Sequence, residues 1–369
     1  VNIFQSWPAR GKVEYSNKID NYVANLYFMF TGAGLNEKWI DVDFEDWTDE
    51  ESIYTAIKYK TTDGDKYVIT GVKDDAPLPE SGAFVIPVWA DALAPNCLGR
   101  FVSDATSLTV ETDSKLQTIY HNAFANATNL RTVDLSNARQ LKTIGTMAFY
   151  ATNLSGGLTF SQTLTSIGSY AFQNSRLAEL ELSNTSVDTI SIGAFKGCLL
   201  LTKVIFSENK IEEIDPYAFD RCEYLENISN YENSLKWIGN NAFSYCKKVS
   251  NFDFGKKMEF IGECAFQKCT LGNVEIPASV WSIGDGAFSD NYTETSGTRT
   301  ITIESIKVNN ENQYYKSVGN NALCSKKNPT LLAISNQIEE IPEDIVTIGA
   351  YALSNGMWDK DELNISQAS

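Results

Sequence analysis

The sequence is dominated by a repeat whose units follow one another at intervals of 22 to 25 residues. Its landmark is an Ala-Phe pair, with an isoleucine four residues before each alanine. The alanines of these pairs are Ala123, Ala148, Ala171, Ala194, Ala218, Ala242, Ala265 and Ala287. A unit this short cannot bury an apolar face alone, so successive units must stack to share one core. This excludes a series of separate globular domains over that region.

Each unit contains signals for three local structures. A period-2 stretch such as Leu177-x-x-Leu180-x-Leu182 predicts a strand with one buried face. An apolar pair, a glycine such as Gly168 and the Ala-Phe pair follow it in most units. A glycine at a fixed place indicates a tight bend or a positive φ. We expect the Ala-Phe segment to form one or two helical turns, with the small alanine against the sheet.

Weaker copies extend the array at both ends. We expect one at Val88…Ala92-Leu93, one at Val318…Ala322-Leu323 and one at Ile348…Ala352-Leu353. The last two follow longer intervals, so extra loops are predicted around residues 291–298 and 325–329. Atypical terminal units are expected in a stacked array because they cap it.

The repeat resembles the BspA-type leucine-rich repeats of bacterial surface proteins. That family carries the phrase Leu-x-x-Ile-Gly-x-x-Ala-Phe-x-x-Cys-x-x-Leu-x-x-Val-x-Ile-Pro. Residues 261–271, followed by Ile276-Pro277, are similar to it, with one residue fewer after the cysteine. The resemblance implies an α/β solenoid: a right-handed leucine-rich-repeat coil with a parallel β-sheet on its concave face and short helices or turns opposite.

Three regions are predicted along the chain. Residues 1–50 show no repeat and are expected to be a small β-rich region, with strand candidates at residues 22–30 and 40–44. Residues 51–104 contain a hairpin signal at Asp63-Gly64 and the degenerate first copy. This hairpin is expected to cover the open first edge of the stack. Residues 105–369 form the solenoid of about ten repeats, the last two atypical.

The charge of the chain disfavours several classes of partner. Its 30 basic and 47 acidic side chains give a formal net charge of −17. Such a surface repels nucleic-acid phosphates and anionic lipid, so neither partner is expected. The single histidine, His121, rules out a His-rich metal site. No apolar run reaches the roughly 18 residues of a transmembrane helix.

One candidate binding surface is a column of outward-facing residues at the middle of each strand. Four of its members are acidic: Asp134, Glu181, Asp253 and Glu275. In curved repeat proteins such a column lies on the binding face, where acids suit a basic partner. The alternative is that the acids only make the sheet soluble.

A second candidate surface is aromatic. Trp237 and Phe260 stand directly before the repeat isoleucine, where other units have threonine or serine, and Trp281 lies one place earlier in the next unit. Clustered exposed aromatic residues mark protein or sugar contacts. Alternatively, these rings pack on each other or beneath a loop.

The remaining titratable residues are interpreted as structural. Cys198, Cys222, Cys246 and Cys269 share one repeat position with alanine, threonine and serine, which indicates a buried packing slot. The acidic segment 41–51 is interpreted as a solvated strand edge and loop. No catalytic residue, metal site or cofactor is therefore predicted.

The resemblance implies a non-enzymatic, exported cell-surface protein that uses its solenoid for protein–protein interaction or adhesion to host or other cells. A host matrix or cell-surface protein is the expected partner, and a glycan is a second candidate. The chain begins at Val1, which is expected if a signal peptide or lipoprotein segment has been removed. Two alternatives stay open: a glycan-binding or glycan-processing accessory protein, and a structural spacer that presents another domain.

Overall fold

The computed structural model describes residues 44–355, except positions 62, 78, 337–340 and 342–343. All described residues belong to one compact unit, Asp43–Ser369. The strand candidate at residues 22–30, and most of the one at 40–44, lie outside the described residues. The domain boundary at residue 50 stays a prediction.

Two layers of parallel strands run along the stack. The first layer, which we call the short-strand layer, is built from two-residue strands that end at the repeat isoleucines. Each strand pairs with the strand of the next coil, except that Ser166–Ile167 ends one sheet and Thr189–Ile190 begins the next. These strands are Thr118–Ile119, Thr143–Ile144, Ser166–Ile167, Thr189–Ile190, Glu213–Ile214, Trp237–Ile238, Phe260–Ile261 and Ser282–Ile283. The sequence did not predict these short strands, because two residues are too few for a period-2 pattern to stand out.

The second layer, which we call the long-strand layer, contains the longer strands that the period-2 pattern predicts. Its strands are Ala83–Ile86, Ser107–Val110 and Thr132–Asp134, then Gly156–Thr159, Leu177–Glu181, Lys203–Ile205 and Asn227–Ser229, then Asn273–Ile276 and Ser305–Val308. Neighbours within each of these three groups pair in parallel. Alternate residues face inward, so the core lies between the two layers.

The N-terminal hairpin is confirmed. Strands Tyr54–Thr61 and Gly64–Val72 pair antiparallel, and Phe44–Trp47 pairs antiparallel with the first of them. Gly64–Val72 also pairs in parallel with Ala92–Leu93, which pairs with Thr118–Ile119. The hairpin therefore covers the first edge of the short-strand layer, as the sequence predicts.

The prediction of helical turns at the Ala-Phe pairs is wrong. Within the described residues the helical elements are two short 3₁₀ turns, Glu80–Gly82 and Gly99–Phe101, and neither lies at an Ala-Phe pair. Each Ala-Phe segment instead forms consecutive turns with left-handed residues just before the alanine and three residues after it. These residues are Asn122 and Asn126, Met147 and Ala151, Tyr170 and Asn174, Gly193 and Gly197, Tyr217 and Arg221, Asn241 and Tyr245, Cys264 and Lys268, and Gly286 and Asp290.

The reason is that these segments direct their backbone hydrogen bonds to the next coil. The Phe149 N–H donates to the Ala171 carbonyl at 2.8 Å, and the Ala151 N–H donates to the Gln173 carbonyl at 2.8 Å. An α-helix would use the same N–H groups within its own coil. These N–H groups can therefore serve either a helix or the contact between coils. They serve the contact between coils, because the left-handed residues point every second N–H toward the next coil.

The repeat glycines serve a close approach between coils. The sequence predicts either a tight bend or a positive φ at these glycines. The positive φ is not found at Gly145, Gly239 and Gly284. A Cβ atom on Gly145 would lie 2.5 Å from the His121 nitrogen, and one on Gly239 would lie 2.4 Å from the Pro216 nitrogen. Only glycine lets the backbone of one coil approach the preceding coil so closely.

A continuous column of phenylalanine rings fills the interior beside these turns. Phe124 and Phe149 stack at a centroid distance of 5.1 Å, and Phe172 and Phe195 stack at 5.4 Å with an angle of only 2° between their planes. The column continues to Phe288, and all of its rings are buried. Parallel rings repeated at the coil spacing hold successive coils in one register.

Two of the three weaker copies differ from their prediction. Ala92-Leu93 pairs as a short strand, and Asn96 bonds to the coil of Asn122, so Cys97-Leu98 takes the place of the Ala-Phe pair. Ala322-Leu323 belongs to the strand Ala322–Ser325, which pairs antiparallel with Tyr315–Val318. In both copies an alanine stands where the Ala-Phe pair is expected, but that alanine belongs to a strand and not to the turn.

The last copy is confirmed, and the first predicted loop is a hairpin. The strand Thr347–Ile348 pairs in parallel with Thr330–Ile334, and the Ala352 N–H donates to the Gly349 carbonyl as in the regular turns. Thr330–Ile334 also pairs antiparallel with Ala322–Ser325. The extra residues near 291–298 form an antiparallel hairpin of Tyr292–Thr295 and Thr298–Ile301.

The left-handed turns generate a stability prediction at Ala151, where φ is 53°. An L-residue pays roughly 1–2 kcal/mol in this region, whereas glycine does not. Ala151→Gly is expected to raise the free energy of unfolding by about 0.5–1 kcal/mol, after the larger chain entropy of glycine is subtracted. Urea unfolding followed by circular dichroism measures this change.

Ala125→Gly is the matched control because Ala125 lies in the same kind of turn and lacks a positive φ. Its stability should fall by about 0.5–1 kcal/mol. Equal destabilisation by both substitutions would contradict the left-handed geometry at residue 151.

Candidate functional site

Three of the four predicted acids, Asp134, Glu181 and Glu275, lie on strands of the long-strand layer, and Asp253 lies where this layer is interrupted. Asp134 pairs in register with Thr109, and Glu181 pairs with Ile205. Glu275 pairs in register with Lys307, so a basic residue continues the column beyond the acids. The predicted column is therefore divided over three separate sheets, and its carboxylates are not grouped at one point.

Three of these carboxylates accept a hydrogen bond from the turn that follows them in the sequence. Asp134 Oδ1 accepts from the Ser136 N–H at 2.9 Å, and Asp253 Oδ1 accepts from the Gly255 N–H at 2.8 Å. Glu181 Oε1 accepts from the Ser183 N–H at 3.0 Å. Hydrogen bonds from the Ser136 hydroxyl and N–H lower the pKa of Asp134. These acids thus stabilise local turns as well as adding surface charge.

Asp253 and Glu275 border one shallow depression of about 460 Å³, which Lys256 and Lys307 also line. Lys307 Nζ lies 3.8 Å from Glu275 Oε1, and both side chains are more than half exposed. Such an exposed ion pair contributes about 0–1 kcal/mol. The depression therefore offers charges of both signs and no deep enclosed site.

The depression coincides with an interruption of the long-strand layer. Asn227–Ser229 ends one sheet and Asn273–Ile276 begins the next. Between them the Tyr231 ring stacks on Phe252 at 4.6 Å, and the Tyr231 hydroxyl accepts from the Asp253 N–H at 3.1 Å. A side chain thus takes the backbone donor that strand pairing would use, which opens the sheet at this coil.

The predicted aromatic residues come together on the short-strand layer. Trp237 and Phe260 are paired residues of adjacent strands, and their rings stack at 3.8 Å with 9° between the planes. Trp281 meets them at centroid distances of 6.4 and 6.0 Å and inclined angles of 61° and 53°. We call these three residues the aromatic cluster.

The aromatic cluster remains accessible although its rings pack on each other. Trp281 is 44 % exposed, and Trp237 and Phe260 are half-buried. The rings therefore cover one another, as the structural alternative predicts, and they still leave apolar surface in contact with water. A role in binding stays a prediction. An exposed group of large aromatic side chains has the composition of a protein-binding hot spot.

Charged residues lie next to the Trp237 side of the aromatic cluster. Glu213 pairs in register with Trp237, and Lys236 Nζ lies 2.9 Å from Glu212 Oε2. The hydrogen bond to Glu212 raises the pKa of Lys236, which therefore stays charged at neutral pH. An apolar centre within a charged rim is the general arrangement of protein interfaces.

The cysteine column is buried and forms a ladder of hydrogen bonds. The thiols of Cys222, Cys246 and Cys269 each donate to the carbonyl of a phenylalanine in the preceding coil at 3.1 Å. Asn291 Nδ2 continues the ladder by donating to the Phe266 carbonyl at 3.0 Å. The predicted packing slot is thus confirmed, with the added role of bonding adjacent coils.

These thiols are poor metal ligands. Burial raises the pKa of Cys222 and Cys246 well above the usual thiol value, so the protonated form is retained. A metal needs the thiolate, and each thiol proton here is already donated to a carbonyl. Among the residues that the structure describes, no cluster of histidine, cysteine and acidic side chains could hold a metal ion.

The sequence interpretation missed a third group of surface residues on the Ala-Phe turns. Arg221, Tyr245 and Lys268 are the left-handed residues three places after the alanine in consecutive coils. The Arg221 guanidinium and the Lys268 ammonium both lie over the Tyr245 ring, at 4.6 and 4.7 Å from its centroid. A comparison of the residues three places after each repeat alanine would have revealed them, because they recur at the same intervals as the alanines.

Stacked two-layer coils with leucine and isoleucine at fixed inward positions define a leucine-rich-repeat β-solenoid. The profile of the BspA type leucine rich repeat region matches residues 101–226, 165–295 and 236–358, in 6 copies. These matches together span residues 101–358, so the chain belongs to the BspA-type leucine-rich repeat family. The resemblance found in the sequence is therefore confirmed.

Solved structures with similarity to the chain include other bacterial leucine-rich repeat proteins. A leucine rich cell surface protein from Faecalibacterium prausnitzii is 20 % identical, with a TM-score of 0.40 over 82 % of this chain and 65 % of that protein. A leucine-rich repeat protein from Bacteroides ovatus is 18 % identical, with a TM-score of 0.43 over 75 % of this chain and 66 % of that protein. The chain thus spans slightly less than two thirds of these two proteins.

A leucine-rich repeat protein from T. pallidum is 19 % identical, with a TM-score of 0.42 over 56 % of this chain and 92 % of that protein. No curated protein matches the sequence. Over the described ranges, none of the helices has the length and apolarity needed to cross a membrane.

The cysteine ladder generates a prediction about thiol reactivity. In the native protein at pH 8, Cys198, Cys222, Cys246 and Cys269 should resist a disulfide reagent, because burial blocks access and favours the thiol over the reactive thiolate. Cys264 should react first, since it is the least buried of the free cysteines. Mass spectrometry of the labelled and digested protein assigns each site.

Unfolding in denaturant supplies the control, because all cysteines then react at similar rates. Native labelling of a ladder cysteine as fast as Cys264 would contradict the buried ladder.

Proposed function

We propose that the chain is a non-enzymatic, exported cell-surface protein that binds a protein of a host matrix or of another cell through the aromatic cluster. The observation that carries the proposal is the exposure of Trp281 above the stacked Trp237–Phe260 pair. The positions equivalent to Trp237 and Phe260 hold Thr143, Ser166 and Thr189 in other coils, so the stack does not require aromatic residues there. Apolar surface that packing does not need supports a role in binding.

A protein partner fits the ring geometry better than a sugar. The parallel rings of Trp237 and Phe260 each cover one face of the other at 3.8 Å. A sugar ring would stack on an open aromatic face, whereas a protein side chain packs equally well on ring edges. The charged rim of Glu212, Glu213 and Lys236 supports the same choice, because interfaces surround an apolar centre with polar groups.

The acidic column favours a partner with a basic surface. Asp134, Asp253 and Glu275 are exposed along the long-strand layer of a chain whose formal charge is −17. Such a field accelerates the approach of a positively charged protein and weakens as salt is added. The acids therefore contribute to the rate of association, while the aromatic cluster contributes most of the binding energy.

Binding suits the described side chains better than catalysis. Asp134, Glu181 and Asp253 accept turn N–H groups, and the cysteine ladder holds protonated thiols. Burial lowers the pKa of His121, which favours its neutral form. This distribution supports a binding protein over the glycan-processing alternative.

An array of matrix proteins and glycans tests the proposal. Wild-type protein should bind a protein on the array, and Trp281→Thr should weaken that binding by tenfold or more, as loss of a hot-spot tryptophan does. Tyr314→Ser is the control, because Tyr314 is also an exposed aromatic residue and lies outside the aromatic cluster. Surface plasmon resonance gives the affinities.

Charge reversal tests the second part of the proposal. Asp253→Lys with Glu275→Lys should slow association several-fold at low salt and change dissociation little. Retention of full affinity by Trp281→Thr, or binding to glycans alone, would contradict the proposed function.

A further inference from the structure

The turn side of the solenoid carries a second surface whose charge is opposite to that of the acidic column. It consists of the residues three to six places after the alanine in three consecutive coils and Lys268 of the fourth, and we call it the turn-face strip. Its exposed members are Leu199, Leu200, Arg221, Tyr224, Lys247 and Lys248. Its half-buried members are Tyr245, Lys268 and Glu223, and Glu223 is paired with Lys247.

The positions of these residues follow from the hydrogen bonds between coils. The Gly197 N–H donates to the Asp220 carbonyl, and the Arg221 N–H donates to the Ser244 carbonyl, each at 2.8 Å. The Tyr245 N–H then donates to the Gln267 carbonyl at 2.8 Å. Equivalent turn residues therefore stand side by side at about 4.8 Å, the spacing of bonded strands. Within one coil, the residues three to six places after the alanine span at most about 11 Å, because three residues of extended chain reach no further. Together with the short spacing between coils, this makes the strip one continuous surface.

Neither positive charge at the centre of the strip forms an ion pair with a described carboxylate, although the pKa of Lys268 is raised by its hydrogen bond to Tyr245 and, less strongly, by the charge of Asp290 in the next coil. Arg221 and Lys268 approach the same Tyr245 ring from the coils on either side of it. Among the described residues no carboxylate lies within 4.0 Å of either charged group, whereas Lys196 and Lys247 pair with Asp220 and Glu223. Two cations that share one ring repel each other, so an added carboxylate would be attracted to both.

Apolar side chains lie beside these cations. Leu199 is 51 % exposed, Leu200 is 43 % exposed and Tyr224 is 54 % exposed. All three follow a ladder cysteine of adjacent coils, at the corner where the turn meets the long-strand layer. Exposed leucine and tyrosine favour a polypeptide occupant, because a sulfated or phosphorylated polysaccharide offers charge without apolar groups.

We propose that the turn-face strip binds an acidic polypeptide segment that also carries large apolar side chains. Its carboxylates would lie between Arg221 and Lys268, and its apolar side chains would cover Leu199, Leu200 and Tyr224. The charge complementarity is specific to this strip, because the chain as a whole is strongly acidic. The strip is a different surface from the aromatic cluster and suits a partner of opposite charge.

Selection from a phage-displayed library of random linear peptides on the full chain tests the proposal. The enriched peptides should combine aspartate or glutamate with leucine, isoleucine or aromatic residues. Fluorescence anisotropy of one labelled enriched peptide then gives its affinity at low and at physiological salt. The affinity should fall as salt is added, because exposed charges are screened.

Variants of the strip provide the decisive comparison. Arg221→Gln with Lys268→Gln should reduce the affinity for the labelled peptide about tenfold, and Leu199→Ser should reduce it several-fold. Lys256→Gln with Lys257→Gln is the matched control, because it removes two exposed positive charges outside the strip. The control should bind normally, and thermal unfolding should show that all variants are folded.

Several results would overturn the proposal. These are enrichment of neutral or basic peptides, no enrichment at all, or an equal loss of affinity in the control and in Arg221→Gln with Lys268→Gln. Heparin binding that needs the strip, without peptide binding, would identify a polyanionic glycan as the occupant. Light scattering that shows a dimer lost in the strip variants would identify a second copy. None of these variants alters the aromatic cluster, so failure here is distinguishable from failure of the proposed function.

Discussion

The solenoid depends on one repeated interaction, the hydrogen bond from the phenylalanine N–H of each Ala-Phe turn to the alanine carbonyl of the next coil. The Phe172 N–H to Ala194 carbonyl bond, at 2.8 Å, is representative. Each of these bonds is backed by a stacked pair of buried rings, such as Phe172 and Phe195. The turns thereby form a third line of bonds between coils beside the two strand layers. Buried backbone groups need partners, and this arrangement supplies them without a helix.

This constraint also determines what the surface displays. Because every coil bonds to the next at equivalent residues, substitutions at one repeat position accumulate as a column on the outside. The acidic column, the aromatic cluster and the turn-face strip are three such columns, each on a different side of the coil. The interior tolerates little change at the same time, since Gly145 or Gly239 must admit the backbone of the preceding coil. Surface variation on a fixed interior suits a family of binding proteins.

The sequence predicts the interior better than the turns. The isoleucine and Ala-Phe positions predict the core, and Asp63-Gly64 predicts the capping hairpin, because burial and turn chemistry are local signals. The helical turns were wrong because Met147 and Ala151 are ordinary helix residues by propensity, and their left-handed conformation arises only from bonding to another coil. Ala322 was misplaced for the same reason, since pairing with Tyr315–Val318 decides its conformation. The aromatic cluster was identified because its residues are of one type at nearly the same repeat position. Arg221, Tyr245 and Lys268 also share a repeat position, but they differ in residue type, so the sequence pattern did not reveal them.

Native-state hydrogen exchange measured by NMR or by mass spectrometry tests the central claim most directly. If the turns form a third line of bonds between coils, the amide hydrogens of Phe149, Phe172, Phe195 and Phe219 will be protected to the same degree as those of the buried strands Lys203–Ile205 and Glu213–Ile214. The exposed residues Glu208 and Asn209, in the turn between the layers, will exchange rapidly. Rapid exchange of the four phenylalanine amides, at the rate of those exposed turns, would contradict the account.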